Sequence, residues 1–286
     1  MQNIMLNPYT WITVLSVLIV VFVILCLVLG RDKKKNSGNK NYLPNSIDIG
    51  TAQYIGTREK QDDSFDAFTN ENGTFAIVAD GIGGFMDGDV ASRLAVDTFM
   101  ENFKNTNVNN NISFFFNSSA VTANERIRKQ FGDKMCGTTV VSVFVNNRKL
   151  YYSSIGDSII AVFRNGRLIP INTKQNVESY LEELYMSGKI TREQALGSTK
   201  NRRLMNYVGH DGFTTSEAME KPVDLKIGDK VLLYSDGVEL LSQIEMENIL
   251  SAKTNVQQMA QMIMNAIVNK RAKSKDNSTV VILDIH

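Results

Sequence analysis

The chain has 286 residues, with 31 basic and 30 acidic side chains and a formal net charge of +1. This near-neutral balance argues against a nucleic-acid-binding protein, because such proteins are usually strongly basic. A hydrophobic share of 43% excludes wholesale disorder, and two cysteines and two histidines are too few for a disulfide scaffold or a typical zinc site.

The N-terminal segment is the most apolar part of the chain. Residues 1–30 carry no charge, and Trp11 to Leu29 form a 19-residue apolar run. A helix needs about 20 such residues to cross roughly 30 Å of hydrocarbon, so we predict a transmembrane helix over residues 11–30. A buried core helix would be shorter or carry a polar stripe. A cleaved signal peptide would have a basic start and a small-residue cleavage site, and this segment has neither.

The segment after the apolar run predicts the orientation of the span. Residues 31–40 contain five basic side chains and one acidic side chain. Basic residues stay on the cytoplasmic side of a span. We therefore expect a single-pass protein of the cell membrane, with residues 1–10 outside and the larger part in the cytoplasm. Residues 31–45 are predicted to be a basic polar linker, and residues 46–286 a folded domain.

Seven runs in this domain are rich in β-branched and aromatic residues and predict strands. They are Ile47–Ile55, Phe75–Ala79, Thr138–Val145, Leu150–Ile155, Ile159–Phe163, Val231–Tyr234 and Thr279–Ile285. Asn146-Asn147 and Asn165-Gly166 lie between such runs and predict hairpin turns. Adjacent strands joined by hairpins indicate antiparallel sheet.

Three stretches repeat apolar residues with the helical period of 3.6. They lie at Ala91–Phe99, Val177–Leu184 and Val256–Ile267. The asparagine-rich stretch 105–113 is interpreted as a loop. Because the helices are grouped and do not alternate strictly with the strands, we predict an α+β fold or a layered sandwich, not a doubly wound sheet.

Aspartates lie at the ends of the predicted strands. They are Asp62, Asp63, Asp80, Asp157, Asp236 and Asp276. Clustered carboxylates repel one another unless a cation neutralises them, and such hard oxygen ligands suit Mg²⁺, Mn²⁺ or Ca²⁺. Asp-Gly is also an ordinary turn dipeptide, so a single aspartate of this kind is more often a turn residue than a ligand. The number of such positions favours a metal site.

Other motifs are weaker. Gly81–Met86 resembles a dinucleotide-binding loop but lacks the third glycine. Asp87-Gly88-Asp89 lacks the spacing and the closing glutamate of a calcium loop. A Ser-His-Asp triad would depend on His210, which is as well explained as a loop residue.

Six segments together resemble the metal-dependent type-2C protein phosphatase family, over about residues 46–286. In chain order they are GTREKQDD (56–63), VADGIGG…DGDVAS (78–92), CGTTVV (136–141), SIGDS (154–158), LLYSDGV (232–238) and KDNSTVVIL (275–283). The resemblance implies a four-layer αββα sandwich with two antiparallel sheets flanked by helices. It also implies an enzyme that hydrolyses phosphoserine and phosphothreonine in phosphorylated proteins, the substrates of a Ser/Thr kinase, through water activated by two metal ions.

The family pattern implies a role for each matching position. Asp80 is expected to bridge two Mn²⁺ or Mg²⁺ ions, with the Gly81 carbonyl on one of them. The other expected metal positions are Asp62, Asp157, Asp236 and Asp276, with Asp157 and Asp236 supporting a third, weaker ion. Asp63 is expected to orient a metal-bound water, and Arg58 to bind the substrate phosphate through its planar fork.

Three positions depart from the family pattern. Asp62 replaces a glutamate that is one methylene longer, so its contact with metal is expected to pass through water. Ile82 stands where some members have a histidine proposed as general acid. Ile159, which follows Ser158, stands where family members often have an arginine next to the loop expected to support the third ion. No central ligand is lost, so we favour an active enzyme, with a catalytically silent phosphopeptide-binding or regulatory membrane module as the alternative.

Overall fold

The structure is a computed structural model, and it describes residues 46–82, 87–132, 134–196, 203–213, 217–218 and 221–286. The predicted transmembrane helix over 11–30 and the linker 31–45 lie outside these ranges. Within the described ranges, none of the helices has the length and apolar character needed to cross a membrane.

The strands occupy most of the predicted positions and several others. They are β1 Ile47–Tyr54, β2 Ser64–Asn70, β3 Gly73–Ala79, β4 Gly81–Ile82, β5 Gly137–Thr138, β6 Val140–Asn146, β7 Lys149–Ile155, β8 Ile159–Arg164, β9 Arg167–Pro170, β10 Glu217–Ala218, β11 Val223–Asp224, β12 Lys230–Tyr234 and β13 Ser278–Ile285. The α-helices are α1 Gly88–Asn105, α2 Ile112–Phe131, α3 Val177–Met186, α4 Arg192–Leu196, α5 Gln243–Leu250 and α6 Val256–Asn269. Short 3₁₀ helices cover Val108–Asn110 and Asp236–Leu240.

Two antiparallel sheets form the centre of the domain. The first has the strand order β1-β13-β12-β8-β9, and the second has the order β10-β7-β6-β3-β2, with β11 also pairing with β7. Both predicted hairpins are confirmed: Asn147 and Arg148 join β6 to β7, and Asn165 and Gly166 join β8 to β9. All four turn residues have positive φ, between 49° and 77°, as type I′ turns require.

Side-chain alternation along the strands builds three stacked cores. On β3, Phe75 and Ile77 pack under α1 and α2, whereas Ala76 and Val78 face the other sheet. Side chains of the first sheet also alternate between its two faces, and α5 and α6 cover the outer face. Because successive strand residues point to opposite faces, each sheet is buried on both sides. The order helix, sheet, sheet, helix confirms the predicted αββα sandwich.

The interpretation of residues 105–113 as a loop was wrong in its second half. A 3₁₀ turn covers Val108–Asn110, and α2 begins at Ile112. The Asn107 side chain accepts a hydrogen bond from Asn109 N–H, and the Asn111 side chain accepts one from Phe114 N–H. An asparagine oxygen satisfies a free backbone donor at a helix start, so these asparagines begin helices.

Candidate functional site

The strands that precede or follow the predicted site aspartates end close together at one end of the sandwich. Asp236 lies two residues after the end of β12, and Asp276 lies two residues before the start of β13. The last residue of β12, Tyr234, pairs with both Val280 on β13 and Ile159 on β8. The sheet register therefore brings these strand ends to one rim.

Asp80 lies directly after β3, and burial and four other aspartates all affect its carboxyl group. Burial first, and then the negative charges of Asp63, Asp236, Asp157 and Asp276, raise its pKa well above the ordinary value. Its backbone is held by Thr139 N–H, which donates to the Asp80 carbonyl at 2.8 Å. Hydrogen bonds from Ser235 and Thr279 to Asp63 join the segments that carry Asp63, Asp236 and Asp276. We therefore treat the five aspartates as one cluster, within which like charges repel one another.

Asp236 and Asp157 line the same pocket. Burial, followed by the charges of Asp157 and Asp276, raises the pKa of Asp236 to about 7. Burial also raises the pKa of Asp157, while a hydrogen bond from Asn176 Nδ2 to Asp157 Oδ2, 3.3 Å long, opposes the shift. Ionisation of each of these two carboxyl groups is therefore unfavourable without a neighbouring positive charge. A nearby cation would stabilise the ionised forms and lower both pKa values.

Asp63 is the most buried of the site carboxylates, at 4% exposure. Its Oδ2 accepts hydrogen bonds from the Ser235 and Thr279 hydroxyls, both at 2.7 Å. Burial raises the Asp63 pKa to about 6 although these two hydrogen bonds lower it. Its Oδ1 is buried and accepts no hydrogen bond from any described residue. One oxygen is therefore fixed and the other is left for a further donor or cation.

Gly81 lies where the chain has no room for a side chain. A Cβ atom there would be 2.2 Å from the Gly88 carbonyl oxygen and 2.6 Å from the Asp62 carbonyl oxygen. The Gly81 N–H donates to that Asp62 carbonyl at 3.2 Å. The Asp62 carboxyl has a raised pKa, through burial and then the charge of Asp89. This packing keeps Asp62 and the turn after Asp80 in contact.

Arg58 forms an ion pair at the rim of the cluster. Its Nη2 lies 2.6 Å from Asp276 Oδ2, and the two side chains are 53% and 40% exposed. Exposed ion pairs of this kind contribute little to stability. The pair nevertheless places the predicted phosphate-binding cation directly beside a predicted metal ligand.

The residues fit hard divalent cations. All the side-chain donors are carboxylate oxygens, and the unpaired Asp63 Oδ1 is a buried oxygen without a partner among the described residues. In the described ranges, no three His, Cys, Asp or Glu side chains form a ready-made metal-binding group. Mg²⁺ usually takes one or two carboxylates and completes its shell with water.

Sequence reasoning missed the groups that support the cluster. Ser235, Thr279, Gln53 and Asn277 form hydrogen bonds to Asp63 or to the backbone around Asp62. The only signal in the sequence was that hydroxyl and amide residues lie beside the aspartates. His210 is not part of the cluster: its ring packs 4.9 Å from the Tyr207 ring, and Nδ1 has no hydrogen-bond partner among the described residues.

Comparison with known proteins defines the class to which this fold and site belong. The family model described as protein phosphatase 2C matches residues 50–276. The match covers most of the chain, so the chain belongs to the protein phosphatase 2C family. This membership confirms the prediction of a protein serine/threonine phosphatase.

Individual relatives agree with this membership. The serine/threonine phosphatase stp of Listeria welshimeri is 27% identical over 242 residues, which cover 79% of this chain and 91% of the relative. The serine/threonine phosphatase of S. agalactiae has the same fold, with a TM-score of 0.75 and 22% identity over 84% of this chain and all of that one. The catalytic domain of PstP, in complex with two manganese ions, gives a TM-score of 0.69 and 22% identity over 84% of this chain and 98% of that domain.

Proposed function

We propose that the protein is a membrane-anchored, metal-dependent phosphatase that removes phosphate from phosphoserine and phosphothreonine in proteins. The observation that carries the proposal is that Asp63, Asp80, Asp157, Asp236 and Asp276 lie at one rim of the sandwich. The strand register, the hydrogen bonds from Ser235 and Thr279 to Asp63, and the pocket lined by both Asp157 and Asp236 support this placement. Such a cluster is unfavourable without cations. The two manganese ions in the PstP structure support two Mn²⁺ or Mg²⁺ ions here.

Within this proposal, Asp80, the Gly81 carbonyl, Asp236 and Asp276 would hold the two ions, with Asp80 contributing to both, and Asp62 would contact metal through water. Asp157 and Asp236 would hold a third, weaker ion. Bound divalent ions lower the pKa of water and neutralise phosphoryl charge.

The other residues bind and orient the reactants. Arg58 binds two phosphate oxygens through its guanidinium fork, which matches the phosphate geometry. Asp63 accepts a hydrogen bond from the attacking water, because its Oδ2 is already held by Ser235 and Thr279 and its Oδ1 is unpaired among the described residues. Water attacks phosphorus in line with the departing serine or threonine oxygen, so no covalent enzyme intermediate forms. Ile82 has no proton to give, so the leaving oxygen takes its proton from water or from another residue.

Replacement of Asp236 or Asp80 by Asn tests the catalytic proposal. Asp236→Asn and Asp80→Asn remove ligand charge while keeping side-chain size. We expect turnover of a phosphothreonine peptide with Mn²⁺ to fall by on the order of 10²–10³-fold or more, because catalysis depends on charge stabilisation at this centre. Chelation of metal should abolish wild-type turnover.

Asp97→Asn, at an exposed position on α1, is the matched control and should keep full activity. Retained turnover in the Asp236 or Asp80 variant would refute the assignment. A wild-type protein that binds the peptide without hydrolysing it would instead support the catalytically silent alternative.

The membrane anchor is proposed from residues 11–30 and from the basic residues that follow them. A span with positive charge on one flank places that flank in the cytoplasm. We expect the protein to sediment with membranes and to resist alkaline carbonate extraction. External protease added to intact cells should leave the phosphatase domain uncut, and should digest it once the cells are opened. Cleavage of the domain in intact cells would contradict the proposed orientation.

A further inference from the structure

The loop that joins β1 to β2 carries Arg58 and Asp62 but contains no helix or strand. Two residues of the proposed site therefore depend on contacts with other segments for their position. A loop of this kind is mobile unless side chains hold its backbone. Thr57 bonds to Lys275 and Arg58 to Asp276, and the side chain of one further residue, Asn277, binds the loop backbone at three points.

The Asn277 side chain is 4% exposed and uses its full amide. Its Oδ1 accepts a hydrogen bond from Asp62 N–H at 2.7 Å. Its Nδ2 donates to the carbonyl oxygens of Ile55, at 2.8 Å, and Lys60, at 3.0 Å. One buried side chain thus binds the beginning, the middle and the end of the loop.

The backbone of Asn277 fixes two further parts of the site. Its N–H donates to Asp276 Oδ1 at 2.8 Å, while Arg58 Nη2 reaches the other oxygen, Oδ2, at 2.6 Å. The Asn277 carbonyl oxygen packs against Gly237, where a Cβ atom would lie only 2.0 Å away. The 3₁₀ helix that begins with Asp236 is therefore held directly against the same residue.

We propose that Asn277 is the positioning residue of this site, since it holds the Arg58–Asp62 loop, Asp276 and the Asp236 turn in register. The inference rests on the proposed function, because it concerns the affinity of these groups for metal and phosphate. The side-chain amide of Asn277 is bonded to the loop backbone, so Asn277 acts on metal and phosphate through other residues. Partners that orient metal ligands typically change metal affinity by about 10- to 100-fold when they are lost.

The first measurement is Mn²⁺ affinity, read from the electron paramagnetic resonance signal of free Mn²⁺. The full-length protein in detergent is compared with Asn277→Ala and Asn277→Ser, the latter keeping a small polar side chain if the alanine variant does not fold. We expect the Mn²⁺ Kd to rise by about 10-fold or more in both. Asn111→Ala, which removes a helix-capping asparagine outside the site, should leave the Kd unchanged.

The second measurement separates positioning from general loss of structure. Inorganic phosphate affinity is determined by calorimetry at saturating Mg²⁺ for the wild type, Asn277→Ala, Arg58→Ala and the double variant. Residues that act through one contact give non-additive effects in such a cycle. We expect Asn277→Ala to weaken phosphate binding in the wild-type background and to have no further effect once Arg58 is absent.

The possible outcomes separate the positioning role from the proposed function. If the wild type binds Mn²⁺ and hydrolyses phosphopeptide but the Asn277 variants keep the wild-type Mn²⁺ Kd, the positioning role is wrong and the proposed function stands. Additive effects on phosphate affinity would also overturn the positioning role. If the wild type neither binds Mn²⁺ nor hydrolyses phosphopeptide, the proposed function itself fails.

Discussion

At the scale of single residues, the surroundings of Asp63 could not be predicted from the sequence. Asp63 is buried, its pKa is raised to about 6, and Ser235 and Thr279 donate to one of its oxygens. The sequence located the aspartate because it precedes a strand. It did not reveal the donors, because they lie 172 and 216 residues away and meet Asp63 only through the pairing of β12 and β13.

Glu245, in the first turn of α5, gives a pH-dependent prediction. Its carboxylate accepts hydrogen bonds from Ser242 N–H at 2.9 Å and Lys270 Nζ at 2.7 Å, and its pKa is lowered from 4.5 to about 2, with the Lys270 bond as the largest cause. A carboxyl whose pKa is lower in the folded state stabilises above its unfolded pKa and loses this effect as pH falls through the folded value. Glu245→Gln should therefore lower Tm at pH 7.

The difference in Tm between wild type and Glu245→Gln should narrow as pH falls from 4.5 towards 2, as circular dichroism melts can show. Glu125→Gln, at an exposed position on α2, serves as the control and should give a small difference at every pH. A wild-type advantage that is independent of pH would show that Glu245 acts through packing and not through its charge.

At the scale of secondary-structure elements, the patterns with strong periodicity were the reliable ones. The helices α1, α3 and α6 were predicted from apolar spacing, and the two asparagine turns from residue type. Helix α2 was not predicted, because its apolar face contains small residues, Ser119, Ala120 and Ala123, between Phe116 and Ile127. Helix α2 is buried because it packs against α1 and the second sheet, and these long-range contacts cannot be read from the local sequence.

The start of α2 yields a prediction for helix capping. The Asn111 side chain accepts a hydrogen bond from Phe114 N–H at 2.9 Å, and this N–H has no partner within the helix. Loss of such a cap costs about 1 kcal/mol, so Asn111→Ala should lower the free energy of unfolding by that amount in urea denaturation. Asn111→Asp keeps an acceptor and should retain most of the stability. Equal losses in both variants would mean that capping is not the role of Asn111.

At the scale of the whole molecule, four layers enclose three cores, and this arrangement could be predicted only through the family resemblance. The runs of β-branched and aromatic residues predicted the strands, but not which sheet faced which helices. The pairing of β1 with β13 joins residues more than 200 positions apart, over the register Ile47↔Ile285 to Tyr54↔Ser278. Such long-range pairing leaves no local pattern in the sequence.

The proposed metal ions should stabilise the whole domain. A ligand that binds only the folded state stabilises it by about 2.7 kcal/mol at a hundred times its Kd. For a domain of this size, each 1 kcal/mol raises Tm by roughly 2–4 °C. Saturating Mn²⁺ should therefore raise Tm by roughly 5–10 °C in calorimetry. The increase should disappear in Asp236→Asn, and an equal increase in that variant would place the stabilising ions elsewhere.

The pairing of β1 with β13 also fixes where the two ends of the domain lie. His286 N–H donates to the Ser46 carbonyl at 3.1 Å, so both ends meet at one edge. Asp276 lies beyond the opposite ends of these strands, about 26 Å away for eight residues at ~3.3 Å each. A short peptide could join the two ends into a circular permutant with new termini at the β6–β7 hairpin.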